Sequence, residues 1–374
     1  MATHIKSLNI ESFRGLEGLK IENLGDVNII VGDNNTGKTS VLEAIQLLCE
    51  PTEYNMATVA MQREKFKDSY FRIGLMDAIR YLFTMESKKK GSYNLKIKAE
   101  IYGKKYDVSV LGKDEIQIYD FSKLEGDGKQ MRAFYFPLEQ PPQNEVEEVD
   151  TLVGNICIDG KKNKAFELNK YTNIRKSTET HNALVNVMFI SAMEHIAKDS
   201  FMNITQRADL SKKAVELLNK FDSRIVDIRY IGEGGRKFIP VFELEGVSEY
   251  IPLSLFGDGM KKALTVLNAI IGAVIDAEDG VVLIDEFETS LHTTAMDQVF
   301  KFMLTVAKEL NVQLFLTTHS LEAIDTLLRC DEENVDKIKV VRLRKNDSKG
   351  AYAETIDGTE ALIIRKKYKM EIRL

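Results

Sequence analysis

Tryptophan is absent from this 374-residue chain, and proline and cysteine are scarce, at 6 and 3 residues. Cys49, Cys157 and Cys330 are isolated and odd in number, which excludes the close pairs of a zinc site and the even set of a disulfide framework. They read as small buried apolar side chains in a reducing compartment. Long hydrophobic runs are missing too. The longest nearly apolar stretch, Ala263 to Ile275, has 13 residues and is broken by Thr265, Asn268 and Gly272. A bilayer span needs about 20, so this stretch reads as a buried helix. Met1 to Phe13 is polar and alternating, without the charged start and apolar run of a secretory leader. The expectation is a cytoplasmic protein with no membrane partner. Positive charge is not in excess: 51 Lys and Arg against 57 Asp and Glu leave a net charge of −6. That excludes wholesale coating of nucleic acid and permits only a local basic face. With 44% apolar and 29% charged residues the chain is not disordered, and its length suggests two or three structural units.

Hydrophobic periodicity outlines an α/β chain. Ile5, Leu8, Ile10 and Phe13, then Leu19 and Ile21, predict two half-buried strands around a turn at Arg14-Gly15. Val27 to Val31 is a compact β-branched run ending at Gly32, the profile of a buried strand. Val41, Leu42, Ile45 and Leu48 fall at helical spacing, and residues 66–86 read as a further helix before the polar tract Ser87 to Gly91. Alternation from Tyr93 to Tyr119 predicts an antiparallel meander. Gly126 to Asp150, with Pro137, Pro141, Pro142 and the acidic Glu145, Glu147, Glu148 and Asp150, reads as a surface loop or insertion. Residues 180–220 read as helical, with Leu184, Val187, Met188 and Ser191 on one face and Ala214, Leu217 and Leu218 later. Strands return around Gly232 to Tyr250, and strand and helix alternate from Leu253 to about residue 330.

Two motifs carry chemistry. Gly32 to Thr39 reads G-D-N-N-T-G-K-T, with a hydrophobic strand before it and an amphipathic helix after it. Glycines let the backbone turn so that consecutive N–H groups face a phosphate, and the helix N-terminus adds its positive dipole end. Gly32, Asp33, Asn34, Asn35, Thr36, Gly37, Lys38, Thr39 and Ser40 are therefore expected to hold ATP, with Lys38 on the β- and γ-phosphates and the Thr39 hydroxyl on Mg²⁺. Val281 to Glu286, V-V-L-I-D-E, supplies the second carboxylate strand. Asp285 is placed to hold Mg²⁺ and Glu286 to activate water. A further strand, Val312 to Thr317, ends in Thr318-His319-Ser320, whose imidazole could reach the γ-phosphate or the water. Lys38 and Asp285 stand 247 positions apart, which requires substantial inserted structure. Ser254 to Met260 is a Gly-rich turn before the apolar helix, a second anion-binding geometry. With one phosphate loop per chain, its natural use is to cap a nucleotide held by a second protomer.

Together these residues resemble the ABC-type ATPases, specifically the RecF/SMC/OLD-like branch. The carriers are I-E-S-F-R-G-L, N-I-I-V-G-D-N-N-T-G-K-T-S-V-L-E-A-I, I-D-E-F-E-T-S-L-H and T-T-H-S; the last two look most like the OLD family and related abortive-infection ATPases. The likeness covers about residues 1–50 and 250–330. It implies an ATPase head, a mixed sheet flanked by helices, with an antiparallel β subdomain and a helical insertion. The corresponding divisions are 1–125, 126–235 and 236–374. It further implies Glu286 as general base, His319 as switch histidine, Arg14 near the nucleotide, and Ser290, Leu291 and His292 crossing a dimer interface. Ser254, Gly257, Asp258 and Gly259 become the signature loop acting in trans. The usual signature serine is replaced by Gly257 unless Ser254 substitutes for it, and Gln62 is only a candidate for the family's glutamine loop. Fifty-five residues follow His319, too few for the TOPRIM nuclease that many OLD proteins carry.

The resemblance thus implies a Mg²⁺-dependent ATPase that sandwiches two ATP molecules in a homodimer, with higher oligomers left open. It would act in bacterial anti-phage defence beside a separate effector such as a nuclease. The alternative is a RecF-like repair ATPase that binds duplex DNA. Lys88-Lys89-Lys90, Lys161-Lys162-Lys164 and Arg365-Lys366-Lys367-Lys369 would then supply the DNA face.

Overall fold

The structure, a computed structural model, describes residues 3–64, 73–120, 146–172, 174, 183–192, 203–204, 207–233, 237–346, 350–368 and 370–372. A hairpin of β1 (Ile5–Phe13) and β2 (Leu16–Ile21) opens the chain, and β3 (Val27–Val31) leads into α1 (Lys38–Cys49). Helices α2 (Glu53–Met61), α3 (Leu75–Arg80) and α4 (Met85–Lys90) follow. Strands β4 (Ser92–Ile101), β5 (Lys104–Asp120), β6 (Val146–Ile158) and β7 (Lys161–Leu168) form a meander. Next come β8 (Val187–Ile190), α5 (Ala208–Phe221), β9 (Ile225–Glu233), β10 (Lys237–Leu244) and β11 (Ile251–Pro252). The remainder is α6 (Asp258–Val274), β12 (Gly280–Ile284), α7 (Thr293–Glu309), β13 (Val312–Thr317), α8 (Leu321–Cys330), β14 (Ile338–Asn346), β15 (Gly350–Asp357) and α9 (Gly358–Tyr368). No helix among the described residues is long and apolar enough to cross a membrane.

Two six-stranded sheets organise these elements. One is antiparallel, in the order β2-β1-β4-β5-β6-β7; the other is mixed, in the order β15-β14-β3-β13-β12-β8. In the mixed sheet β14, β3, β13, β12 and β8 are parallel, and β15 closes one edge antiparallel to β14. The central strands β3, β12 and β13 are buried at every residue, as expected where both faces are covered. On one face lie α5, α6, α7 and α8, whose apolar stripes join Ile29, Val282, Ile284 and Leu314 in one core. On the other face lies α1, which touches β8, β12 and β13 of the mixed sheet and β1 and β4 of the antiparallel one. Every residue of α1 except Thr39 is buried. A helix enclosed between two sheets has no solvent face, so its polar side chains must find partners inside.

The two sheets are tied by one amide. The Gln313 side chain on β13 donates to the carbonyls of Ile5 at 2.9 Å and Gly25 at 2.7 Å, and accepts from Ile5 N–H at 2.8 Å. It is wholly buried, so no water replaces those bonds.

Three sequence expectations require correction. The sequence predicts a helix over residues 180–220, but Val187–Ile190 is a parallel strand beside β12, and among the described residues the α-helix of this stretch is Ala208–Phe221. The four-residue run V-M-F-I satisfies either periodicity; pairing with Val281–Ile284 decides it. The expected helix over 66–86 resolves, within the described residues, into α3 and α4 separated by a turn. Thr84 caps α4 by accepting from Ser87 N–H. The expected loop at 126–150 lies outside the described residues up to Glu145, Pro137, Pro141 and Pro142 included. Its acidic end, Glu147, Glu148 and Asp150, is strand: β6 pairs with β5 from Val146 onward, which joins residues 146–168 to the N-terminal sheet.

Replacing Gln313 by Leu strands the N–H of Ile5 and the carbonyls of Ile5 and Gly25 in a dry interior. The expected loss is about 2–4 kcal/mol, read as a lower urea midpoint, with a smaller loss for Gln313→Glu at low pH.

Candidate functional site

The parallel strands deliver the motif residues to one edge of the mixed sheet, at their carboxyl ends, where doubly covered sheets place ligands. Register sets the detail. Ile284 pairs with Leu316 and with Ile190, so Asp285, Thr317 and Ser191 emerge level with one another. β3 lies on the far side of β13 and opens directly into the phosphate loop.

Gly32–Thr39 forms a tight loop whose tip, Asp33, Asn34 and Asn35, is exposed. Two glycines are obligatory. Gly32 has φ 146° and Gly37 φ 99°; a Cβ on Gly32 would meet the Leu343 carbonyl oxygen at 2.4 Å, and one on Gly37 the Leu16 side chain at 2.6 Å. Thr36 Oγ1 donates to the Asp33 carbonyl at 2.9 Å. Lys38 reaches back over the loop and donates to the carbonyls of Gly32 at 2.8 Å and Asp33 at 2.9 Å. Burial lowers the Lys38 ammonium pKa, opposed by the charges of Asp285, Asp33 and Glu286. A loop of backbone donors closed around its own lysine has the shape of an anion cradle.

Thr39 and Asp285 meet although 246 positions separate them: Thr39 Oγ1 lies 3.2 and 3.1 Å from the two Asp285 oxygens. The other contact of Asp285 was not read from the sequence. Thr317 Oγ1, the last residue of β13, donates to Asp285 Oδ1 at 2.6 Å and accepts from the Glu286 N–H at 2.8 Å. Burial raises the Asp285 carboxyl pKa; the hydroxyls of Thr317 and Thr39 oppose that, and the charges of Glu286 and Glu43 add to it. Glu286 itself has φ 46°, a left-handed conformation rare outside glycine, and the Thr317 bond holds it there. Its carboxylate accepts from Thr289 Oγ1 at 3.3 Å. Glu288, two residues on, accepts from Thr318 Oγ1 at 2.6 Å and from the His319 N–H at 3.3 Å, which fixes the turn bearing His319.

One turn along α1 from Thr39 sits Glu43, fully buried. Arg14, left-handed at φ 51° in the β1–β2 turn, pairs with it at 2.7 Å and also donates to the Val59 carbonyl. Arg63 pairs with it at 2.6 Å and reaches Ser40 Oγ at 3.0 Å, while Gln62 donates to it at 3.4 Å. Arg14 is thus placed against the base of α1, and burial lowers its pKa, opposed by Glu43. Arg63 reaches nearer the phosphate loop, bonding Ser40 in the first turn of α1. Neither Glu43 nor Arg63 carried a sequence signal beyond a charge inside an apolar helix pattern.

Ser254, Gly257, Asp258 and Gly259 stand elsewhere. Gly257 precedes the first turn of α6, Gly257 and Asp258 are exposed, and Gly259 packs near Ala295, Val299 and Phe221. Ser290 has φ 68° in the turn leading to His292, which caps α7. The basic groups fall on three elements: Lys88–Lys90 on α4, Lys161, Lys162 and Lys164 on β7, and Arg365–Lys367 on α9. Lys369 lies outside the described residues. Lys90, Lys164, Arg365 and Lys366 are paired with Glu86, Glu53, Asp325 and Glu332.

The model of the family described as "AAA domain, putative AbiEii toxin, Type IV TA system" matches residues 27–325. The chain belongs to this family. It is similar to an ATP/GTP phosphatase of Helicobacter pylori, 24% identical over 378 residues that span 92% of this chain and 93% of that protein. It also matches the DNA replication and repair protein RecF of Pseudoalteromonas translucida, 39% identical over 66 residues, 17% of this chain and 18% of RecF. Among solved structures, the SMC head domain from Thermotoga maritima aligns with a TM-score of 0.48 at 11% identity, covering 95% of this chain and all of that one.

Thr317→Val keeps the shape of this AbiEii-family site while removing both bonds that hold Asp285 and Glu286. ATP turnover is expected to fall about 10- to 100-fold with nucleotide affinity within about threefold, and Thr317→Ser to recover most of it; steady-state kinetics beside equilibrium nucleotide binding checks the split.

Proposed function

We propose that the chain is a Mg²⁺-dependent ATPase working as a homodimeric switch in bacterial anti-phage defence, beside a separate effector protein. The observation that carries the reading is the contact of Thr39 with Asp285, with Glu286 locked next to it. This is an all-oxygen donor set of a hydroxyl and a carboxylate, suited to a small hard cation. Thr39 and Asp285 would hold Mg²⁺, which when bound neutralises charge on the phosphates. Lys38 exchanges the carbonyls of Gly32 and Asp33 for β- and γ-phosphate oxygens, and the amides of Gly32 to Ser40 wrap the chain of phosphates. Glu286 takes the proton of the water whose oxygen attacks the γ-phosphorus. The bond to the β–γ bridging oxygen breaks, leaving ADP and phosphate. His319 faces the same edge from the end of β13 and steadies the water or the γ-phosphate.

The position of the signature turn supports the dimeric part of the reading. The phosphate loop packs against Leu16 and Leu343, whereas Gly259 packs by α7. Ser254, Gly257, Asp258 and Gly259 of one protomer would therefore close on the nucleotide of the other, with Ser290 to His292 crossing between them. In this reading residues 1–125 and 236–374 carry the nucleotide motifs of the head, and 126–235 lie between them in sequence, adding β6 and β7 to the antiparallel sheet and β8 to the mixed one. The family's description as a toxin of a type IV toxin–antitoxin system supports a defence role, and hydrolysis would reset the switch.

Wild type should bind and hydrolyse ATP. Lys38→Ala should lose nucleotide binding by at least about tenfold, and Glu286→Gln should bind ATP, turn over at least about 100-fold more slowly and accumulate as a dimer in light scattering. Absence of ATP binding by wild type, or of any ATP-dependent change in mass in Glu286→Gln, sinks the reading. Turnover that rises several-fold on adding duplex DNA would place the chain with repair ATPases instead.

A further inference from the structure

The acid strand and the histidine strand stay bonded to each other beyond their last paired residues. The Thr317 hydroxyl joins Asp285 Oδ1 at 2.6 Å and the Glu286 N–H at 2.8 Å. The Phe287 N–H donates to the Thr317 carbonyl at 3.1 Å. Glu288 then accepts, at Oε1, from the Thr318 hydroxyl at 2.6 Å and from the His319 N–H at 3.3 Å. Every residue of 285–288 is thus bonded to a residue of 317–319. The turn after β12, which carries Glu286, and the turn after β13, which carries His319, are fastened into one unit.

Glu288 is the outermost of these fasteners. Its Oε1 fixes two consecutive donors, and the Thr318 hydroxyl passes the constraint on by accepting from the Ser320 N–H at 2.9 Å. Ser320 in turn caps α8, its Oγ accepting from the Ala323 N–H at 3.1 Å. Thr318 is fully buried, and its own N–H donates to the Ile30 carbonyl of β3 at 3.3 Å. The backbone on both sides of His319 is therefore held, and the hold on the histidine itself comes from Glu288. For stability alone a carboxylate is a poor choice here. Its second oxygen, Oε2, is buried without a hydrogen-bond partner, and a dry, unsatisfied carboxylate oxygen is costly. What the charge contributes is tightness: bonds to an ionised acceptor are shorter and stronger than neutral ones, and here they fix two donors at once.

We propose that Glu288 is a positioning residue for hydrolysis. Through the Thr318 hydroxyl and the His319 N–H it sets where the His319 imidazole stands relative to the Glu286 carboxylate. The two side chains then meet a bound nucleotide as a preset pair, with Glu286 on the attacking water and His319 on that water or the γ-phosphate. Glu288 acts only through these neighbours, and Thr318 is the relay. The inference rests on the ATPase reading above and adds to it a residue that neither the phosphate loop nor the acid pair includes.

The test uses the full-length protein. Glu288→Ala and Thr318→Val should each lower kcat about tenfold or more, with KM and equilibrium ATP binding within about threefold of wild type. Thr318→Ser keeps the hydroxyl and should recover most of the rate. Glu288→Gln keeps a neutral acceptor and should fall between wild type and Glu288→Ala. In a His319→Gln background, Glu288→Ala should cost no more than about a further twofold, because the histidine it positions is gone. Wild-type kcat in Glu288→Ala, or a further loss of about tenfold in the His319→Gln background, overturns the assignment. Should Glu288→Ala fail to fold, Glu288→Gln and Thr318→Val, each alone and with His319→Gln, decide it by the same comparison. A wild-type protein that neither binds nor hydrolyses ATP overturns the functional reading instead, whereas an active wild type in which the losses add overturns only the role of Glu288.

Discussion

The site depends on one carboxylate being held from two sides. Asp285 is gripped by Thr39 from the start of α1 and by Thr317 from the end of β13, and its own backbone N–H donates to the Ile190 carbonyl of β8 at 2.9 Å. Three elements remote in sequence, α1, β13 and β8, therefore converge on one residue. An aspartate in a buried setting resists ionisation, and the two hydroxyls oppose that resistance without adding charge. A cationic neighbour would have done so more strongly, but would have competed with a metal ion for the same oxygens.

Holding Asp285 requires that α1 not slide, and its burial between two sheets secures that. A helix so enclosed would ordinarily be apolar all round, yet α1 carries Lys38, Ser40, Glu43 and Gln46 inside. Each is answered by a group from elsewhere: Lys38 by loop carbonyls, Ser40 by Arg63, Glu43 by Arg14 and Arg63, Gln46 by Asn55. Removing one partner from such a network costs more than the network contributes, because the survivor is left charged and dry. The β1–β2 turn and the segment after α2 are in this way tied to the phosphate loop's own helix. Arg63 in particular touches both Glu43 and Ser40, so a change at the loop is felt by the segment that follows α2.

How much of this was legible in the sequence follows from the range of each interaction. The phosphate loop, the acidic strand and the T-T-H-S strand were readable because their chemistry is written in consecutive residues, with strand and helix patterns on either side. Glu43 was not readable, since its partners lie 29 and 20 positions away and nothing local marks a glutamate as buried. The strand at Val187–Ile190 was misread for a related reason: four apolar residues have no period, and only the register with β12 makes them a strand. Thr317 was the nearest miss. It stands two residues before His319, but a threonine ending an apolar strand bears no local mark of the two acids its hydroxyl organises.

The same contrast bears on how the site is switched. At the edge that holds the phosphate loop three charged groups are paired: Lys38 on carbonyls, Asp285 on hydroxyls, Glu286 on Thr289. The pairing is mutual and local, so by itself it stabilises a closed, unloaded arrangement rather than a working one. Glu288 differs in having one satisfied and one unsatisfied oxygen. The phosphate loop supplies affinity and the threonine-held acids supply chemistry.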